Sequence, residues 1–180
     1  MSFFQVSSII KTAGFATTDF NLWPMFSKII LFILMLTGCC AGSTGGGMKL
    51  IRVAMLFKGV KREIRRTVHP RGTSIVRIDG RAVDEEINSS VALFFFGYIA
   101  TIIIATIIVS LDNFDFESTF TAVVTCVGNI GPGLGMVGPM GNFSGFSDMS
   151  KIVLSICMLL GRLELYPLLL LVSRKTWTKH

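Results

Sequence analysis

The sequence predicts an all-α membrane protein built from helix, re-entrant loop, helix units, with re-entrant half-helices and one broken transmembrane helix. Three observations carry this. Of 180 residues, 51% are hydrophobic and only 16% charged, with a mean hydropathy of +0.66, a composition outside the range of soluble domains. Three segments, 22–57, 87–111 and 149–172, approach the roughly 20 apolar residues that a helix needs to cross a hydrocarbon core of about 30 Å. Between them lie shorter apolar runs that stop in glycine-rich chain.

The first long segment is interrupted by Gly38-Cys39-Cys40-Ala41-Gly42-Ser43-Thr44-Gly45-Gly46-Gly47. Such a run cannot hold a regular helix against its backbone entropy, so the span is expected to break there. A stripe of small residues that merely allows close helix packing is the competing explanation.

Charge then orients the spans. Residues 58–86 carry Lys58, Lys61, Arg62, Arg65, Arg66, Arg71, Arg77 and Arg81, whereas Asp112-Asn113-Phe114-Asp115-Phe116-Glu117 holds acids and no base. The positive-inside rule puts 58–86 in the cytoplasm and 112–117 outside. The basic tail from Arg174 to Lys179, with Trp177 suited to an interface, also belongs in the cytoplasm. Residues 87–111 therefore run outward and 149–172 return, so 112–148 must begin and end outside. Within that stretch an apolar run from Phe116 to Thr125, opened by Asp115, Glu117 and Ser118, suits a half-helix whose N-terminal dipole accepts acids. It is too short to span. The glycines of Gly128-Asn129-Ile130-Gly131-Pro132-Gly133-Leu134-Gly135 must climb back as irregular backbone. Unpaired amides cost several kcal/mol in lipid, so such backbone is tolerated only inside protein or along a water-filled path. An ion pathway is the simplest occupant.

In the connector, Ser74-Ile75-Val76-Arg77-Ile78 and Arg81-Ala82-Val83 flank Asp79-Gly80, a two-residue hairpin signal. The chain divides into residues 1–66 (half-helix, loop, broken span), 67–86 (cytoplasmic connector with hairpin) and 87–180 (a complete helix, loop, helix unit with a basic tail). The first residues make no signal peptide and begin inside a structural unit, so the chain is expected to be a fragment.

Several chemistries are excluded. The cysteines at 39, 40, 126 and 157 form no C-x-x-C pair and read as small packing residues. Gly42 to Lys49 lacks the Lys-Ser/Thr end of a phosphate loop, and Gly133-Leu134-Gly135-Met136-Val137-Gly138 runs into Pro139 instead of a helix. His69 and His180 have no nucleophile and acid placed to converge with them. No enzyme, transition-metal site, cofactor or nucleic-acid partner is expected.

Thr12-Ala13-Gly14-Phe15, followed by Trp23-Pro24 and the glycine-rich break to Lys49, resembles the third repeat of Trk/Ktr-type potassium-uptake proteins. Val127-Gly128-Asn129-Ile130-Gly131-Pro132-Gly133-Leu134-Gly135, followed by Gly161-Arg162-Leu163-Glu164-Leu165-Tyr166-Pro167, is similar to the fourth. The resemblance implies four helix, pore-loop, helix repeats around one pore, of which this chain supplies half of the third and all of the fourth. It assigns potassium-filter strands to Thr12, Ala13, Gly14 and Phe15 and to Cys126, Val127, Gly128 and Asn129. Backbone carbonyls there would replace the ion's water. The alternative for Gly14 alone is a helix C-cap. Cys126 stands where such filters often have Thr, and Lys11 is expected to lie behind the filter with its ammonium at a helix C-terminus.

The same resemblance makes Gly42, Ser43, Thr44, Gly45, Gly46 and Gly47 an intramembrane gating loop. Arg162 would be a pore-facing barrier to cations, with Glu164 offsetting buried positive charge; a structural ion pair is the competing role. It further implies potassium as substrate, the remaining N-terminal repeats, a homodimer, a cytoplasmic nucleotide-binding regulatory subunit (TrkA/KtrA-like) and lipid contacts. The expected place is the bacterial cytoplasmic (inner) membrane, multi-pass. A sodium or sodium/potassium transporter of the same superfamily, or a non-conducting structural subunit, are the rival readings.

Overall fold

A computed structural model describes residues 2–38, 46–68, 77–78, 81–82 and 85–163. Among the described residues six α-helices follow in order: α1 Ser2–Ile10, α2 Met25–Thr37, α3 Leu50–Val68, α4 Glu85–Val109, α5 Phe116–Gly128 and α6 Asp148–Leu163. Short 3₁₀ turns at Phe20–Leu22, Ser110–Asp112 and Gly135–Val137 shape the connectors. Two two-residue strands, β1 Arg77–Ile78 and β2 Arg81–Ala82, pair antiparallel with Arg77 opposite Ala82 and Ile78 opposite Arg81. This is the hairpin that the turn signal predicts; Asp79 and Gly80 themselves lie outside the described residues.

The first long apolar segment does break. Helix α2 ends at Gly38, whose φ of 64° only glycine adopts freely and whose N–H still reaches Leu34 O at 3.1 Å. Among the described residues the next helix begins at Leu50. The two ends of the break meet: a Cβ on Gly38 would stand 3.0 Å from Gly46 O and 3.4 Å from Gly47 Cα. The two described ends of the break, Gly38 and Gly46-Gly47, thus lie side by side.

Among the described residues one helix has the length and apolarity to cross a membrane, residues Ile87–Asp112 with a mean hydropathy of 2.5. Its packing is one-sided. Val91, Phe94, Tyr98, Ile102, Ala105 and Val109 recur every three or four residues and are buried, whereas Phe96, Ile104 and Ile107 are 69%, 59% and 63% exposed. Exposed Phe26, Ile29 and Ile33 on α2 and Ile152, Ile156 and Leu159 on α6 repeat the theme. Large apolar side chains outward on several helices are costly in water and neutral in lipid. Thr101 and Thr106 return their hydroxyls to the carbonyls of Gly97 and Ile102 at 2.8 and 2.7 Å, so neither hydroxyl is stranded.

The half-helix α5 sits at the centre, packed on α2, α4 and α6, with every residue from Thr121 to Gly128 buried. At 13 residues it rises about 20 Å, well short of a bilayer core. Asp115 caps it, accepting from Ser118 N at 3.0 Å. That hydrogen bond holds the Asp115 carboxyl below its ordinary pKa. Asp112 is likewise held low by the Ser147 N–H at 3.0 Å, which ties the connector before α5 to the start of α6. Around α5 lie Phe20, Leu31, Met35, Phe146, Leu154 and Cys157 of the core. Helix α3 is fastened to α4 by Arg52, whose guanidinium lies 4.2 Å from the Phe94 ring centroid, and by Gly59 against Asn88.

Candidate ion-conduction site

The two half-helices end in the same backbone device. After α1, Thr12 N–H reaches Ile9 O at 3.0 Å and Ala13 N–H reaches Ser8 O at 2.9 Å, with Thr12 at φ 52° and Gly14 at φ 74°. After α5, Asn129 N–H reaches Cys126 O at 3.2 Å and Ile130 N–H reaches Thr125 O at 3.0 Å, with Asn129 at φ 53° and Gly131 at φ 108°. The bonds superpose Thr12 on Asn129, Ala13 on Ile130 and Gly14 on Gly131. This is a left-handed helix stop in both places.

That register corrects the extended run expected at Cys126-Val127-Gly128-Asn129. Cys126, Val127 and Gly128 form the last turn of α5, and Asn129 is its left-handed cap. The helix persists through Gly128 because the N–H groups of Asn129 and Ile130 fold back onto Cys126 and Thr125; irregular backbone begins only at Ile130. In the first loop Thr12 occupies the corresponding cap and Ala13, Gly14 and Phe15 follow it. A β-branched residue in the left-handed region costs on the order of 1–3 kcal/mol and persists only where its surroundings hold it. Ser8 helps to hold it, donating its hydroxyl to Phe15 O at 2.7 Å, as does Gln5, whose amide donates to Thr18 O at 2.8 Å.

The loops face each other. A Cβ on Gly14 would collide with the carbonyl oxygen of Ile130, and one on Gly131 would stand 3.9 Å from Gly14 Cα. Two glycines at positive φ therefore meet at the ends of two half-helices, whose negative C-terminal dipoles point to one region. Lys11 lies just ahead, exposed, its N–H closing on Ser7 O at 3.0 Å.

Sequence reasoning missed what ties the loops together. The Asn21 amide donates to Gly135 O and accepts from Gly135 N, both at 3.0 Å, a two-point bond between the outer connectors of the two units. A Cβ on Gly138 would collide with this amide. On α5, Ser118 Oγ accepts from Met136 N at 2.8 Å, while Thr121 Oγ1 accepts from Leu134 N at 3.0 Å and donates to Glu117 O at 2.7 Å. Three short polar side chains thus satisfy the backbone of 134–136 as it returns outward. A polar residue every three positions on a buried half-helix was the available signal; the Asn21 partnership, 114 residues apart in sequence, offered none.

Beneath the loops, Gly46, Gly47 and Met48 are buried. A Cβ on Gly46 would stand 2.6 Å from Gly128 O, so the returning end of the break presses on the C-terminus of α5. Of the expected gating loop, Gly42, Ser43, Thr44 and Gly45 lie outside the described residues, as does Glu164. Arg162 occupies the last turn of α6, next to Gly161, where a Cβ would collide with Val127 O. The break, the end of α5 and this end of α6 therefore converge on one point.

The comparisons with known proteins fit this geometry. A family model described as a cation transport protein, TrkH, matches residues 1–179. The chain is 40% identical over 176 residues to the Trk system potassium uptake protein TrkH of Escherichia coli K12, covering 98% of this chain and 36% of that protein. It is 36% identical over 176 residues to the Trk system potassium uptake protein TrkG of the same organism, again 98% of this chain and 36% of that one. The crystal structure of the potassium transporter TrkH from Vibrio parahaemolyticus matches with a TM-score of 0.85 at 39% identity, over 97% of this chain and 37% of that one. The chain thus spans little more than a third of the length of the curated relatives it matches. The all-helical membrane fold is theirs, and the chain belongs to the TrkH family of cation transport proteins.

Proposed function

We propose that this chain supplies two of the re-entrant loops of a potassium-uptake pore in the bacterial cytoplasmic membrane. The observation that carries the reading is the meeting of Gly14 and Gly131 at the ends of two half-helices. A dehydrated potassium ion needs several oxygen ligands, and neutral backbone carbonyls supply them without a charge that would trap it. Glycine at positive φ lets consecutive carbonyls turn toward one axis.

The lining in the first loop is Thr12, Ala13, Gly14 and Phe15. In the second it is Asn129, Ile130 and Gly131, a register three residues later than Cys126, Val127 and Gly128. Two loops provide part of a ring, and loops elsewhere in the transporter complete it. Gly42 to Gly47 form the gate beneath the filter, with Arg162 as the positive barrier beside it; the closeness of Gly46 to Gly128 O supports that placement. Residues 1–66 act as half of one repeat, 67–86 as a cytoplasmic connector and 87–180 as a second repeat. The transporter works as a dimer with a cytoplasmic nucleotide-binding subunit, in keeping with the Trk system named for the relatives.

The test is rubidium and potassium uptake by the full-length gene product in proteoliposomes, with sodium as competitor. Saturable potassium uptake that sodium fails to suppress, lost on substituting Gly14 or Gly131, is expected. Equal suppression by sodium would favour a sodium/potassium transporter. Intact uptake with reduced abundance after those substitutions would mark a structural subunit instead.

A further inference from the structure

Asn129 does more than turn the chain. Its backbone position asks only for a residue that tolerates φ 53°, which glycine would satisfy at no cost. Its side chain, however, reaches across to α6, donating from Nδ2 to the Met158 carbonyl at 3.0 Å. The amide lies in close quarters. A Cβ on Gly161 would stand 2.9 Å from Asn129 Nδ2, and a Cβ on Gly46 would stand 3.0 Å from both its Cβ and its Nδ2. Both glycines lie still closer to the α5 carbonyls of Val127 and Gly128, so the amide is seated where the break and α6 meet the end of α5. Thr12, at the same backbone position in the first loop, carries no amide, so the tether belongs to the second loop alone.

We infer that the Asn129 carboxamide is a positioning residue for ion discrimination, tethering the second filter loop to α6 so that the carbonyls of Ile130 and Gly131 keep the spacing a potassium ion requires. The inference rests on the pore reading above. Discrimination between potassium and sodium depends on carbonyls being held apart against collapse onto the smaller ion. The Ile130 carbonyl is one residue from the tether, on a stretch also held by the backbone bonds of Asn129 and Ile130 to Cys126 and Thr125. Freed from α6, the loop gains the ability to close on sodium.

The experiment compares Asn129→Gly and Asn129→Asp in the full-length gene product. Glycine keeps the left-handed backbone and deletes the tether. Aspartate keeps size and left-handed tolerance but loses the donor and sets a carboxylate oxygen against the Met158 carbonyl. The readouts are membrane abundance and the ratio of potassium to sodium uptake in proteoliposomes. Both variants are expected to reach the membrane and to lose discrimination by about five-fold or more, the effect of one such hydrogen bond on two competing loop geometries. If either reaches the membrane at wild-type abundance with wild-type discrimination, the side chain is a mere helix stop and the inference falls. Should one variant fail to accumulate, the other carries the same test. If the unaltered protein takes up no potassium or does not discriminate, the pore reading fails first, and that result is distinct from a failure of the tether.

Discussion

Replacing Gly14 by Ala perturbs the place where the two loops meet, and the structure sets the size of the effect. At φ 74° an L-residue pays about 1–2 kcal/mol for the crowding of its Cβ against the following carbonyl. That alone shifts the population of the native loop by roughly 5–30-fold. The added methyl also collides with the Ile130 carbonyl oxygen, a backbone atom that no rotamer change can remove. Either the Gly14 loop swings away or Ile130 turns its carbonyl, and each outcome spoils a ligand of the proposed filter. Uptake of rubidium by the full-length protein should therefore drop by at least about 30-fold, more than the strain alone accounts for. Gly145→Ala is the matched control: its φ is not positive, and its Cβ would make ordinary contacts, 3.4 Å to Met136 Cε and 3.7 Å to Phe114 Cζ, so uptake should stay near wild type. Flux assays normalised to membrane abundance decide the matter. Uptake by Gly14→Ala within two-fold of wild type, at equal abundance, would refute the reasoning.

Three other expectations follow from the same geometry. Asn21→Ala strands the N–H of Gly135, whose carbonyl keeps the Gly138 N–H at 3.1 Å, and should cost about 1–3 kcal/mol, seen as a fall of several degrees in the thermal unfolding midpoint in detergent; an unchanged midpoint contradicts the two-point bond. The low folded-state pKa values of Asp112 and Asp115 mean that their stabilisation is fully present above the ordinary carboxylate pKa of about 4 and is lost as pH falls through the folded values. Asp115→Asn, which still caps a helix, should flatten part of that acid limb, whereas an identical pH profile would mean that the cap is not formed. Gly46→Ala places a methyl 2.6 Å from Gly128 O and must push the break away from α5, raising potassium flux several-fold as deletion of Gly45 to Gly47 should; unaltered flux in both would return the glycines to a packing role.

The sequence was most legible where one residue type dictates one physical outcome. Ten small residues from Gly38 to Gly47 could not remain helical, and α2 stops at Gly38. The acids before Phe116 and the apolar run after it foretold a capped half-helix, and Asp115 is that cap. The backbone of the second loop is less legible. Cys126-Val127-Gly128 matches the Thr-Ala-Gly step of the first loop in spacing of types, yet a helix stop is set by the backbone bonds that follow it, and these give Asn129, not Cys126, the position equivalent to Thr12. The positive φ of a Thr and the pairing of Asn21 with Gly135 could not be read at all, because both are imposed by parts of the chain far away in sequence.

The account stands or falls on where the ion binds. Anomalous scattering from rubidium or thallium soaked into crystals of the full-length protein would locate it directly. A peak is expected on the axis between the two loops, within carbonyl-ligand distance of Ala13 or Gly14 on one side and Ile130 or Gly131 on the other. A peak remote from both glycines, with Gly14 and Gly131 facing open water, would contradict it.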